Sequence, residues 1–245
     1  MRLGFAPARC GAVVAVLAAL LTAAGCRSIL PAQYEYDEQI DLSLDGSATV
    51  YVNGSVPALV ALHGIDLDVA PTAMLDRAAI RAFYVSEGVR VARISASRRR
   101  GRRFVHIRLD VDDICRLGAT AAFARPDCTF RPQDGEYVFR QTIARGAVRD
   151  VGDVGWTGSE QVAFRLHLPS RIHYHNAPSK QVERGNILAW EQSFADRLAG
   201  RPVEMEVRMA SASILYTTLW LFGTMALVVV GVFGALLWWL TRKKG

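Results

Sequence analysis

From Ile214 to Leu240 the chain runs for 27 residues without a charged side chain, and Arg242, Lys243 and Lys244 close the run. As a helix this stretch is about 40 Å long, against roughly 30 Å of bilayer hydrocarbon, so it spans a membrane with tilt or with its ends in the headgroups. A buried helix of a soluble domain is rarely this long or apolar on every side. Trp238 and Trp239 beside the basic cluster, and Trp220 toward the other end, suit the two membrane–water boundaries. The basic cluster puts Gly245 in the cytosol and everything before Ile214 outside. The chain is thereby divided into a leader (1–26), an exported domain (27–213), a transmembrane helix (214–240) and a cytosolic basic tail (241–245).

The leader has Arg2 and Arg9, an apolar stretch from Val13 to Leu21, and small residues before Cys26, which is the pattern of a signal peptide. Leu21 to Cys26 resembles the bacterial lipobox, with Ala23 where leucine is most common, and the resemblance implies that Cys26 is the acylated N-terminus. The location expected is the bacterial inner membrane, with the body on the periplasmic side. Two anchors in one membrane predict a body whose termini lie on the same side.

The net charge of +6 points to nucleic acid only until it is located. Five of the 29 basic residues flank the two hydrophobic segments, and all 23 acidic residues fall between Arg27 and Ser213. The body therefore carries 24 basic and 23 acidic groups (29 − 5 = 24; 24 − 23 = +1), which gives no reason to expect a nucleic-acid partner. An exported body with two cysteines, Cys115 and Cys128, predicts a disulfide closing a short loop, with two buried free thiols as the other reading.

Within the body, period-two alternation predicts strands. Tyr34 to Leu44 shows one apolar face, interrupted only by Glu38, then Asp45-Gly46-Ser47 turns the chain and Ala48 to Val56 returns. Pro57 opens a helix that Gly64 stops, and a second is expected from Pro71 to Tyr84, with Leu75, Ala79, Ala82 and Phe83 as its apolar stripe. Val89–Ser97 and Phe104–Val111 form a further hairpin whose tip carries Arg98, Arg99, Arg100, Arg102 and Arg103 around Gly101. Such a tip suits contact with anionic headgroups or a partner, since guanidinium matches phosphate in bidentate geometry; it also suits a solvated turn that blocks edge pairing. Later strands are expected at Cys128–Ile143 (a pair), Gln161–Leu168, Arg171–His175, a short run ending at Glu191, and Pro202–Met209. The fold class is α+β: an antiparallel sheet packed by one or two helices, plus the C-terminal transmembrane helix.

His173 and His175 share a strand face in this reading but lack a third ligand, and the acidic cluster Asp110, Asp112 and Asp113 lacks a calcium loop. No metal or cofactor is expected. The motifs of serine hydrolases, phosphate-binding loops, dinucleotide folds and zinc proteases are missing, so the expectation is a binding protein rather than an enzyme.

Cys26, the segment Leu42-Ser43-Leu44-Asp45-Gly46-Ser47-Ala48-Thr49-Val50, the late Leu168-Pro169-Ser170-Arg171, and Gly185-Asn186 followed by Trp190-Glu191 resemble the LppM-like bacterial lipoproteins. That resemblance implies an exported α/β domain before one membrane helix, associated with lipid or envelope, and carries no catalytic residues. The function expected is binding of a lipid or lipid-linked envelope molecule, in a pocket between the sheet and the Pro71–Tyr84 helix. A protein-interaction scaffold of an envelope complex is the alternative. Oligomeric state is not legible.

Overall fold

The structure is a computed structural model that describes residues 34–123, 125, 127–146 and 148–242. The leader and Cys26 lie outside the described residues, as does most of the basic tail. Among the described residues, ten strands form two sheets that share one apolar core. The first sheet has the order β3(Val89–Arg99), β4(Arg102–Val111), β2(Ala48–Ser55), β1(Tyr34–Leu42), β7(Gln161–His167), β9(Ile187–Ser193). The second has the order β5(Cys128–Gln133), β6(Glu136–Ile143), β10(Val203–Ser213), β8(Ser170–His175). All pairings are antiparallel except β1 with β7, so the expected α+β class holds, with one parallel contact inside it.

Alternation explains the layers. Tyr36, Glu38, Ile40 and Leu42 face inward from β1, and Met205, Val207 and Met209 face inward from β10. Helix α1 (Val56–His63) is buried from Val56 through Leu62, which suits a segment apolar on every side. Ser55 caps it by accepting the Ala58 N–H at 3.0 Å, and Gly64 ends it at φ 72°. Helix α2 (Arg77–Tyr84) is shorter than expected because Asp76 caps it, accepting the Ala79 N–H at 2.8 Å. Its buried residues are Ile80 and Tyr84, one turn apart, in place of the expected stripe. Both belong to the shared core. A third helix, α3 (Phe194–Leu198), had no clear sequence signal. Asp113 caps a 3-10 helix, Ile114–Ala119, and Cys115 and Cys128 are joined as a disulfide.

Helix α4 (Ile214–Arg242) is long and apolar enough to cross a membrane, and its spanning stretch is not buried against the body. Ser213 ends β10 and Ile214 begins α4, so no linker separates them. The Ile214 N–H donates to the Pro169 carbonyl at 2.9 Å, which ties the start of α4 to the corner between β7 and β8. That corner follows His167, registered with Asp41 near the C-terminal end of β1. Tyr34 lies at the opposite end of the same strand, about 26 Å away at roughly 3.3 Å per residue. The described ends of the body are therefore on opposite sides; the Cys26 end, to which the two-anchor expectation refers, lies outside the described residues. The sheet forces this separation of the described ends, since β1 and β7 run parallel and α4 begins just beyond the end of β7.

Replacing both Cys115 and Cys128 by serine should lower stability by about 3 kcal/mol, the chain-entropy value for a loop of this length. Urea unfolding of the full chain in detergent micelles measures this, and an unchanged midpoint would contradict a stabilising crosslink.

Candidate functional site

The hairpin between β3 and β4 closes through two residues, Arg100 at φ 49° and Gly101 at φ 76°. Positive φ at both positions is the turn that matches strand twist, and asparagine, aspartate or glycine ordinarily fills the first. The β5–β6 hairpin makes the same kind of turn with Asp134 at φ 52° and Gly135 at φ 82°. An arginine in this backbone costs about 1 kcal/mol relative to a residue that adopts it readily. The tip thus holds a guanidinium where local structure favours a small polar side chain.

The fold divides the five arginines. Arg103 is buried and donates to the carbonyls of Ala73, at 2.9 Å, and Asp68. Arg102 donates to the buried Glu35 carboxylate at 3.2 Å and to the Gly155 carbonyl at 3.0 Å, and the Trp156 Nε1–H donates to the same carboxylate at 3.0 Å. Both fasten the hairpin to neighbouring loops. Arg98, Arg99 and Arg100 are exposed; Arg99 lies 3.9 Å over the Phe104 ring, and Arg98 and Arg100 have no carboxylate partner among the described residues. Beside the tip is a cleft of about 360 Å³, walled by Pro57, Val69, Pro71, Val151 and Val154 on its apolar side and by Arg100, Arg102 and Arg103. Asp153 also lines it. Behind the tip, Ser97 Oγ and Asn53 Oδ1 each lie 2.8 Å from a ring nitrogen of His106, linking three adjacent strands on the outer face. Burial, aided by the nearby Arg99 charge, holds the His106 pKa below its ordinary value.

A second constellation lies in the core. Glu38, the lone charge on the apolar face of β1, pairs with Arg125, and both side chains are at most 2% exposed. The Tyr36 hydroxyl donates to the other carboxylate oxygen of Glu38 at 3.0 Å, and Arg125 donates to Gln141 Oε1 at 2.7 Å. Arg197 is buried nearby and caps carbonyls of Ile143, at 3.2 Å, and Ala144. The His63 Nδ1–H donates to the Ala122 carbonyl, and its ring sits 5.0 Å from that of Tyr36. Burial holds the His63 pKa down at about 4, with the Ala122 hydrogen bond pulling the other way. Burial and the Glu38 charge hold the Tyr36 pKa well up. The void among these groups is about 20 Å³, room for about one water and far too small for a substrate. This cluster organises the core.

His173 and His175 do not act together. A bulge in β8 separates their register; His173 Nδ1 meets Glu136 Oε1 at 2.5 Å, and His175 is aligned with the inward-facing Val207. The sequence flagged Glu38 by its break in alternation but offered nothing to connect it with Arg125, 87 residues away. The chain matches no family model, no curated protein and no solved structure.

Removing one partner of the buried pair should be costly. Glu38→Leu or Arg125→Leu alone should destabilise by roughly 3–5 kcal/mol, and the double variant should recover most of that loss; a double-mutant cycle in urea tests the coupling. His63 adds a pH effect of defined sign. Its pKa is about 4 when folded against 6.5 as the ordinary value, so the unfolded chain takes up the proton first. Its contribution is complete above about pH 6.5 and is lost as pH falls toward 4, by up to roughly 1.4 kcal/mol per pH unit. His63→Leu should flatten that part of the stability–pH curve.

Proposed function

We propose that this chain is a membrane-anchored, non-enzymatic domain that binds an anionic lipid-linked molecule of the bacterial envelope at the arginine tip. The reading keeps the LppM-like lipoprotein identity suggested by the short sequence segments, with Cys26 acylated and the body on the periplasmic side of the inner membrane. One observation carries it: Arg100 occupies a strained turn position beside a cleft with an apolar wall. Strain held at an exposed tip is an arrangement that stability alone does not favour. A cleft of about 360 Å³ is within the size range of small-ligand sites, and its guanidiniums suit phosphate or carboxylate.

The tip belongs to the end of the first sheet that also holds Tyr34, about 26 Å along the strand from the start of α4. That favours a molecule whose anionic part stands clear of the bilayer over a plain headgroup. The remoteness of the tip also gives the scaffold reading its best support, with an acidic protein segment in place of the envelope molecule.

Arg100→Asn tests the reading because stability and binding should move in opposite directions. The variant should gain about 1 kcal/mol in urea unfolding as the turn relaxes. It should also lose most of the extractable lipid-linked mass that the full chain carries in native mass spectrometry. A bare wild-type mass, together with a protein crosslink from Arg98, would transfer the site to the scaffold reading.

A further inference from the structure

A larger groove, about 540 Å³, lies at the other end of the first sheet, on a face that no part of the proposed tip site uses. Its wall includes Leu168 and Pro169, and the Pro169 carbonyl accepts the first N–H of α4. The position of this groove relative to a bilayer follows from length. Helix α4 has 29 residues, or about 43 Å, which equals the roughly 40–45 Å of a bilayer with its headgroup layers. Ile214 then stands at the outer limit of the headgroups, and Tyr216 and Trp220 are about 3 and 9 Å deeper, with the Trp220 Nε1–H donating to the Tyr216 hydroxyl at 2.9 Å. With no linker before Ile214, the groove is held at headgroup level whenever α4 spans.

The lining chemistry selects among headgroups. Three carboxylates, Asp41, Asp110 and Asp112, alternate with the guanidiniums of Arg90 and Arg108 and the imidazole of His167. These groups pair loosely, Arg90 with Asp112 at 3.8 Å, Arg108 with Asp110 at 3.4 Å and His167 with Asp41 at 3.4 Å, and every member is at least one-third exposed. Such exposed pairs contribute little and exchange readily for other partners. A purely anionic headgroup meets three carboxylates here, and a cation alone meets two guanidiniums. A zwitterion satisfies both sets, and a primary ammonium, unlike a quaternary one, donates hydrogen bonds to carboxylates.

We propose that this groove seats the headgroup of a phosphoethanolamine-type phospholipid from the bilayer that α4 crosses, with phosphate at Arg90 and Arg108 and ammonium at Asp41 and Asp110. The seat fixes the orientation of the body on the membrane. It is independent of the arginine-tip reading, and it holds or fails separately.

The test uses the full chain reconstituted in vesicles of equal phosphatidylethanolamine and phosphatidylcholine, with a photoreactive benzoylphenylalanine at Thr49, on the groove wall, or at Arg98. Thr49 should crosslink lipid and prefer phosphatidylethanolamine by roughly fivefold, whereas Arg98 should crosslink neither lipid appreciably. Asp41→Asn with Asp110→Asn should reduce the Thr49 preference to near unity, and Arg98→Gln with Arg100→Gln should leave it unchanged. Equal crosslinking of the two lipids at Thr49, or lipid crosslinks at Arg98 with none at Thr49, would overturn the proposal. Should the aspartate variant melt early, Arg108→Gln serves as the second variant: both lipids carry the phosphate, so it should cut the total lipid crosslinking at Thr49 several-fold, and an unchanged yield would also count against the seat.

Discussion

The carboxylate of Glu38 is the constraint around which the core is built. It points inward from the middle of β1, between Tyr36 and Ile40, where an unpaired charge would cost several kcal/mol. Its partner must therefore be brought in, and Arg125 comes from the segment between Cys115 and Cys128. The disulfide shortens the excursions open to that segment. The same segment delivers Phe123 against His63 and places the Ala122 carbonyl on the His63 ring, so α1 is also docked through it. Gln141 extends the network to β6 and thereby joins the two sheets. One buried ion pair thus links the first sheet, the second sheet, α1 and the crosslink.

A second constraint is the continuity of β10 with α4. Most tethered domains hang from a flexible connection and can present any face to the membrane. Here the last residue of a paired strand is followed by the first residue of the helix, and the Ile214 N–H is already taken by Pro169. For a bilayer crossed by α4, the end of the sandwich that meets it is therefore set by the fold. The two ends differ in chemistry accordingly: mixed acidic and basic groups line the α4 end, and the exposed Arg98 and Arg100, without carboxylate partners among the described residues, mark the other.

Much of this was legible from residues. The hairpins at Asp45–Ser47, Arg100–Gly101 and Asp134–Gly135, the helix between Pro57 and Gly64, the cysteine pair and the long apolar helix all follow from local rules of turn chemistry, capping and length. What was not legible is long-range. Period two marks Glu38 as facing the core but cannot name Arg125, and a cluster of arginines reads as one feature until Glu35, Asp68 and Ala73 claim two of them. The parallel pairing of β1 with β7 is likewise invisible, since strand alternation carries no direction. Helix α2 shows how a local rule misleads when two caps compete: Pro71-Thr72 offers one start, and Asp76 supplies the hydrogen bond that decides.

The contrast between the two tight hairpins bears on function without any reference to relatives. Asp134-Gly135 and Arg100-Gly101 have similar positive φ values at both positions, in two-residue connections between paired strands. Backbone preference is satisfied at the first and opposed at the second. Arg100 is exposed, so core packing does not demand arginine at that position. The compensation must come from what the guanidinium does in solution or against a ligand. The adjoining apolar cleft makes a ligand the more economical account, because exposed charge alone would be served equally well by Arg98 and Arg99 on ordinary strand backbone.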